Sequence, residues 1–139
     1  MLQLDPSRLV DIFRNSHSTS DGTFWKSESR DGGQTWSVPR ATNVRSHRHN
    51  SPAQLTRHTG APTLIYSDRR MVSISAVTTS DPQLLRWDVA HRLPCYVYNA
   101  DEWPIADGSY PLSVQVGPES GSSSTTKYAP IKSGSPAIS

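Results

Sequence analysis

With a single cysteine, Cys95, the 139-residue chain cannot form an internal disulfide, which leaves its redox compartment open. No apolar run is long enough to span a bilayer. The start Met1-Leu2-Gln3-Leu4-Asp5-Pro6 lacks the basic region and apolar stretch of a signal peptide, so localisation is undetermined. Neither sign of charge dominates: 14 Lys+Arg against 12 Asp+Glu give +2, too mild to indicate a nucleic-acid binder. Sustained helical periodicity is missing as well. Apolar residues make up only 34%, whereas prolines number 11 and serine is abundant. Such a balance suits a turn-rich β protein with a loose end.

What is present is a succession of short β-forming runs separated by turn clusters. Arg8–Arg14 reads as a strand, followed by a polar turn and a second strand over 22–29. Residues 37–42 look like a short outer strand, with Pro39 tolerated at an edge. This first group lacks an innermost strand. The next group is fuller. Strands are expected over 51–56, 62–68, 72–79 and 93–98, with a hairpin turn at Arg57–Ala61. A spacing of about ten residues between strand and turn is what an antiparallel meander requires. Residues 109–116 read as one further strand. The serine-rich stretch 118–139 cannot bury enough apolar surface to offset its ordering entropy and is expected to be disordered.

Between the second and third runs lies Ser29-Arg30-Asp31-Gly32-Gly33-Gln34-Thr35-Trp36. An aspartate here can turn its carboxylate onto backbone N–H groups, as in Asx-turns, while glycine supplies positive φ without steric cost. Thr35 and Trp36 are expected to begin the return strand, with the Trp36 ring packed on its own sheet. The segment matches Ser-x-Asp-x-Gly-x-Thr-Trp at every defined position, through Ser29, Asp31, Gly33, Thr35 and Trp36. In this the chain resembles the sialidase-like (BNR, Asp-box) β-propellers. Ser80-Asp81-Pro82 with Trp87 stands where a second box belongs, but lacks the glycine and has the wrong Ser–Asp spacing; it reads as a degenerate box.

The resemblance implies an all-β fold of about two antiparallel four-stranded blades of an incomplete sialidase-type propeller. Residues 1–117 would form the partial propeller: blade one at about 5–46, blade two at about 47–100 and the first strand of a third at about 107–117. A propeller of this type has several blades of about 40–50 residues, so the chain is expected to be a fragment. The implied activity is removal of terminal sialic acid or a related glycan, with the fragment inactive alone and the remaining blades needed for closure. The alternative is a non-catalytic propeller piece that serves as a glycan- or protein-binding scaffold. No cofactor, metal, nucleic acid or membrane is implied.

The implied chemistry uses arginine forks that grip the substrate carboxylate, an aspartate acid/base and a tyrosine nucleophile paired with a glutamate. Propeller ligand sites lie at inner-strand ends. Carried onto this chain, Arg48, Arg69, Arg70 and His49 are the substrate-binding candidates, Tyr110 the nucleophile and Asp107 the acid/base. No glutamate partner is apparent. Phe13-Arg14 matches only the first half of the family's Phe/Tyr-Arg-Ile-Pro motif, and Pro111 directly after Tyr110 departs from the usual context. The run His47-Arg48-His49 also reads as a solvated basic loop. On an extended segment His47 and His49 share a face, and His58 could join them on a metal. No nearby cysteine or carboxylate spacing supports zinc. Asp101-Glu102 reads as a charged loop.

Overall fold

The computed structural model describes residues 1–15, 21–47, 51–68, 71 and 73–97. The strand expected over 109–116 and the 118–139 segment lie outside the described residues. Those described form eight strands and no helix: β1 (Leu2–Gln3), β2 (Leu9–Arg14), β3 (Thr23–Ser29), β4 (Arg40–Arg45), β5 (Gln54–His58), β6 (Ala61–Asp68), β7 (Ser73–Thr78) and β8 (Leu93–Val97). They make two four-stranded sheets, ordered β1-β2-β3-β4 and β5-β6-β7-β8, with every pairing antiparallel. Each sheet is thus a meander. Among the described residues no helix is long and apolar enough to cross a membrane, which says nothing of a β-barrel.

The first sheet has a further edge strand that the sequence reading left out. It is the two-residue β1, which pairs Leu2 with Val10 and Gln3 with Leu9. Two residues carry no readable alternation. The fourth strand also begins later than expected, at Arg40 rather than Ser37. Ser37 N–H instead donates to the Glu28 carbonyl (2.8 Å) to close the turn, and Pro39 has no N–H to pair. In the second sheet the strands fall close to their expected places. The β5–β6 hairpin turns on Thr59 and Gly60, whose φ of 48° and 86° are the two positive values that a tight hairpin of right-handed twist requires.

The two sheets share one core. Val10, Ile12, Phe24 and Val44 of the first pack with Leu55, Leu64, Tyr66 and Val77 of the second, together with Leu84 and Trp87. Phe24 meets Tyr66 edge-on, with centroids 5.6 Å apart and rings at 69°. Polar contacts fasten the same seam. Ser46 Oγ donates to the Ser67 carbonyl (2.7 Å) and Arg8 Nη2 to the Pro82 carbonyl (2.8 Å). Beside the core lies a buried ion cluster. Glu28 accepts from Lys26 Nζ (2.6 Å), from Arg8 through Nε and Nη2 (3.1 Å each) and from Arg30 Nε (2.9 Å). Burial pushes the Glu28 carboxyl up, but the hydrogen bonds and charges of Arg8 and Lys26 outweigh it and hold it at about 2.

Candidate functional site

In both sheets the third and fourth strands are joined by a turn built around an aspartate. In the first, Thr35 clamps the Asp31 carboxylate with its N–H (2.9 Å) and its hydroxyl (2.6 Å), and Ser29 Oγ donates to the same group (2.7 Å). Ser29 Oγ in turn accepts from Gly33 N–H (2.8 Å). Gly32 and Gly33 sit at φ of 70° and 96°, as the turn demands. These bonds, with that from Trp36 Nε1 to the Gly33 carbonyl, bring Ser29, Asp31, Gly33, Thr35 and Trp36 together in one turn. The bonds from Thr35 and Ser29 lower the Asp31 carboxyl to about 2. Its contribution to stability is therefore present above the ordinary carboxylate value of 3.8 and is lost as pH falls towards 2. Replacing Asp31 with alanine should lower the melting temperature at neutral pH and have a smaller effect near pH 2, where most of the contribution of the ionised carboxylate is gone, which a pH series of melting curves checks.

The second turn corrects the sequence reading. Its hydroxyl is that of Thr79, not Ser80, so the spacing to the aspartate is the same in both turns. Thr79 Oγ1 accepts from Asp81 N–H (2.9 Å) and donates to the Arg86 carbonyl. The Asp81 carboxylate accepts from the N–H groups of Gln83, Leu85 and Arg86 at 2.9–3.0 Å. Leu84, at φ 53°, stands in the left-handed position that Gly33 fills in the first turn. Trp87 Nε1 donates to the Leu84 carbonyl as Trp36 Nε1 does to that of Gly33, both at 3.1 Å. Asp88 N–H closes onto the Thr78 carbonyl as Ser37 closes onto Glu28. The second turn is the first with one residue added between aspartate and tryptophan.

Their surroundings differ. Trp87 is 3% exposed and Trp36 42%. The second turn is inserted against the first sheet, where Asn43 of β4 accepts from Trp87 N–H (2.7 Å) and donates to its carbonyl (2.8 Å). Among the described residues nothing clasps the Trp36 main chain in this way. Its ring, expected to be packed on its own sheet, stands 42% exposed, and among the described residues no further sheet covers the turn.

At the opposite ends of these sheets lies a polar rim. Asp68 closes β6 and is buried; its carboxylate accepts from Arg92 Nη1 (3.2 Å), a half-exposed guanidinium. Tyr66, on the same face of β6, has its hydroxyl pushed up first by burial and then by the Asp68 charge, with Arg92 opposing. A buried phenol shifted in that direction stays neutral and is not an activated nucleophile. Ser73 and Ser75 of β7 add hydroxyls 3.0 Å apart. A partly exposed guanidinium anchored by a buried carboxylate is a group of the kind that meets anions. Sequence reasoning missed Arg92: its partner lies 24 residues earlier, and no local motif links them.

The residues assigned to substrate and catalysis, Arg48, His49, Arg69, Arg70, Asp107 and Tyr110, lie outside the described residues, as do Asp101 and Glu102. The three-histidine grouping fails on geometry. Ser46, next to His47, touches Ser67 at one end of β6, while His58 pairs with Ala61 at the other. Eight residues of strand put about 20 Å between those ends. Among the described residues no cluster of His, Cys, Asp or Glu could hold a metal ion. Comparison of the chain with family models, curated proteins and solved structures returns no match.

Proposed function

We propose that the two sheets are neighbouring blades of a sialidase-type β-propeller, and that the ring they belong to binds and hydrolyses terminal sialic acid or a related anionic glycan. The observation that carries this reading is the repeated turn: two consecutive four-stranded meanders, each with a hydroxyl–aspartate–tryptophan turn between its third and fourth strands. The polar rim lies at the ends away from these turns. Ser46 and Ser67, which precede the candidate arginines 48, 69 and 70 in the chain, touch there, and Arg92 adds a guanidinium. Cationic forks are what an anionic sugar requires. Catalysis depends on several such groups held together around the axis, so two blades alone supply too few.

A fluorogenic sialoside tests this. The chain alone should not turn it over, and the chain joined to blades that complete a ring should. In that ring Tyr110→Phe should abolish turnover. Arg69→Ala should cost about 10–100-fold in kcat/KM, the worth of a hydrogen bond to a charged group. Turnover that survives both changes would discard the residue assignments. A closed ring inert to every sialoside would favour a non-catalytic scaffold, a reading that the wholly structural engagement of both aspartate turns also accommodates.

A further inference from the structure

Four cations crowd the turn end of the seam between the sheets. Register places Lys26 of β3 directly opposite Arg40 of β4, and like charges in that position repel. Arg8 and Arg30 join them, since both bond Glu28, the carboxylate that Lys26 also holds. Arg8 Nη2 donates to the Pro82 carbonyl (2.8 Å) and Arg40 Nη1 to Gln83 Oε1 (3.2 Å), so both guanidinium groups meet the same stretch of the second turn. Among the described residues two carboxylates face this group. Glu28 is shared by three of the cations. Asp81, whose carboxyl Lys26 also influences, accepts from three main-chain N–H groups. Beyond Arg8, Asp5 and Arg57 add one charge of each sign. The fold does not demand these charges: with Ser29 matched to Thr79, Lys26 falls on Ala76 and Glu28 on Thr78, both uncharged.

We propose that this corner binds a free, doubly charged oxyanion of the phosphate or sulfate kind. One such ion offsets the excess of cations over carboxylates, and guanidinium forks meet its oxygens in pairs. Arg30 and Arg40 are open to solvent and Arg8 partly so, which gives an ion access. Lys26 is 6% exposed, and of its three N–H bonds one, to Glu28, has an acceptor among the described residues. Charge buried to that degree acts through a medium less polar than water, where its attraction for an anion is stronger. The ion braces the seam, because its partners belong to the first sheet and two of them already reach the second turn. The proposal is independent of the glycan reading, whose candidate groups belong to the opposite ends of the sheets.

Melting curves of the full chain near neutral pH test this, with sodium sulfate and sodium phosphate each set against sodium chloride of equal ionic strength. Either oxyanion at about 10 mM should raise the melting temperature by about 4–8 °C along a saturating curve, the shift for a site of millimolar affinity. Arg40→Gln should weaken binding by about tenfold or more, the worth of a hydrogen bond to a charged group. Arg40 is exposed, and its removal also lifts the repulsion on Lys26, so the variant keeps its fold. Arg45→Gln, at the opposite end of the same strand, should leave binding unchanged. An equal rise in chloride, a rise that does not saturate, or full binding by Arg40→Gln overturns the proposal. So does loss of binding in Arg45→Gln, which would place the ion at the other end of the sheets.

Discussion

Glu28→Gln should lower the free energy of unfolding by about 3 kcal/mol, read from chemical denaturation at neutral pH. The glutamine keeps the shape and an acceptor oxygen but removes the one negative charge among Lys26, Arg8 and Arg30. Lys26 is buried, and its ammonium would be left without a counter-charge. Breaking a buried pair from one side costs about 3–5 kcal/mol; the lower end applies because Arg8 and Arg30 reach water and relax. Adding Lys26→Met should recover most of the loss, since the uncompensated charge goes with it. The pH dependence has a definite sign. The folded carboxyl, at about 2, lies below its ordinary 4.5. Its contribution is intact above 4.5 and disappears as pH falls through the interval to about 2. Glu28→Gln should lack that portion of the acid dependence.

The second large effect is expected at Trp87. Truncation to alanine should cost about 3–5 kcal/mol, because it empties a large volume in the core cluster that the two sheets share. The informative comparison is Trp36→Ala, the same position of the other turn. Half in solvent and outside the core cluster, it should change stability by about 0.5 kcal/mol or less under conditions where the chain is monomeric. Paired urea titrations read both. Equal losses would show that the tryptophan acts through its own turn and not through the seam.

The second sheet was legible from sequence because β-branched and aromatic runs such as Thr63–Tyr66 and Val77–Thr78 alternate with unmistakable turn residues at Thr59–Gly60. Other features were hidden for particular reasons. Two residues suffice for β1 because β2 supplies the register. The second aspartate turn escaped a rule written in residue types. A threonine hydroxyl does what a serine hydroxyl does, and Leu84 holds a left-handed conformation because its side chain is buried in the core. Lys26 and Glu28 share the face of β3 that carries Phe24 into the core, a placement for charged residues that only their mutual pairing explains. Asn43 gives no local sign of its role, since Trp87 lies 44 residues away. Of the rim, Arg92 depends on a partner supplied by the fold, and the arginine, histidine, aspartate and tyrosine candidates fall outside the described residues.

The reach of the Asn43–Trp87 clasp also sets an order of events during folding. Every strand pairing within either sheet joins neighbours along the chain, so each hairpin closes a short loop at small entropic cost. The clasp has to wait until β4 has paired with β3 and the Trp87 turn has formed. The seam between the sheets is thus assembled late, and the barrier that keeps the native chain from opening is governed there more than within either meander. Interactions added at Asn43, Trp87 or Leu84 would lengthen the lifetime of the folded state while leaving the rate at which it forms nearly unchanged.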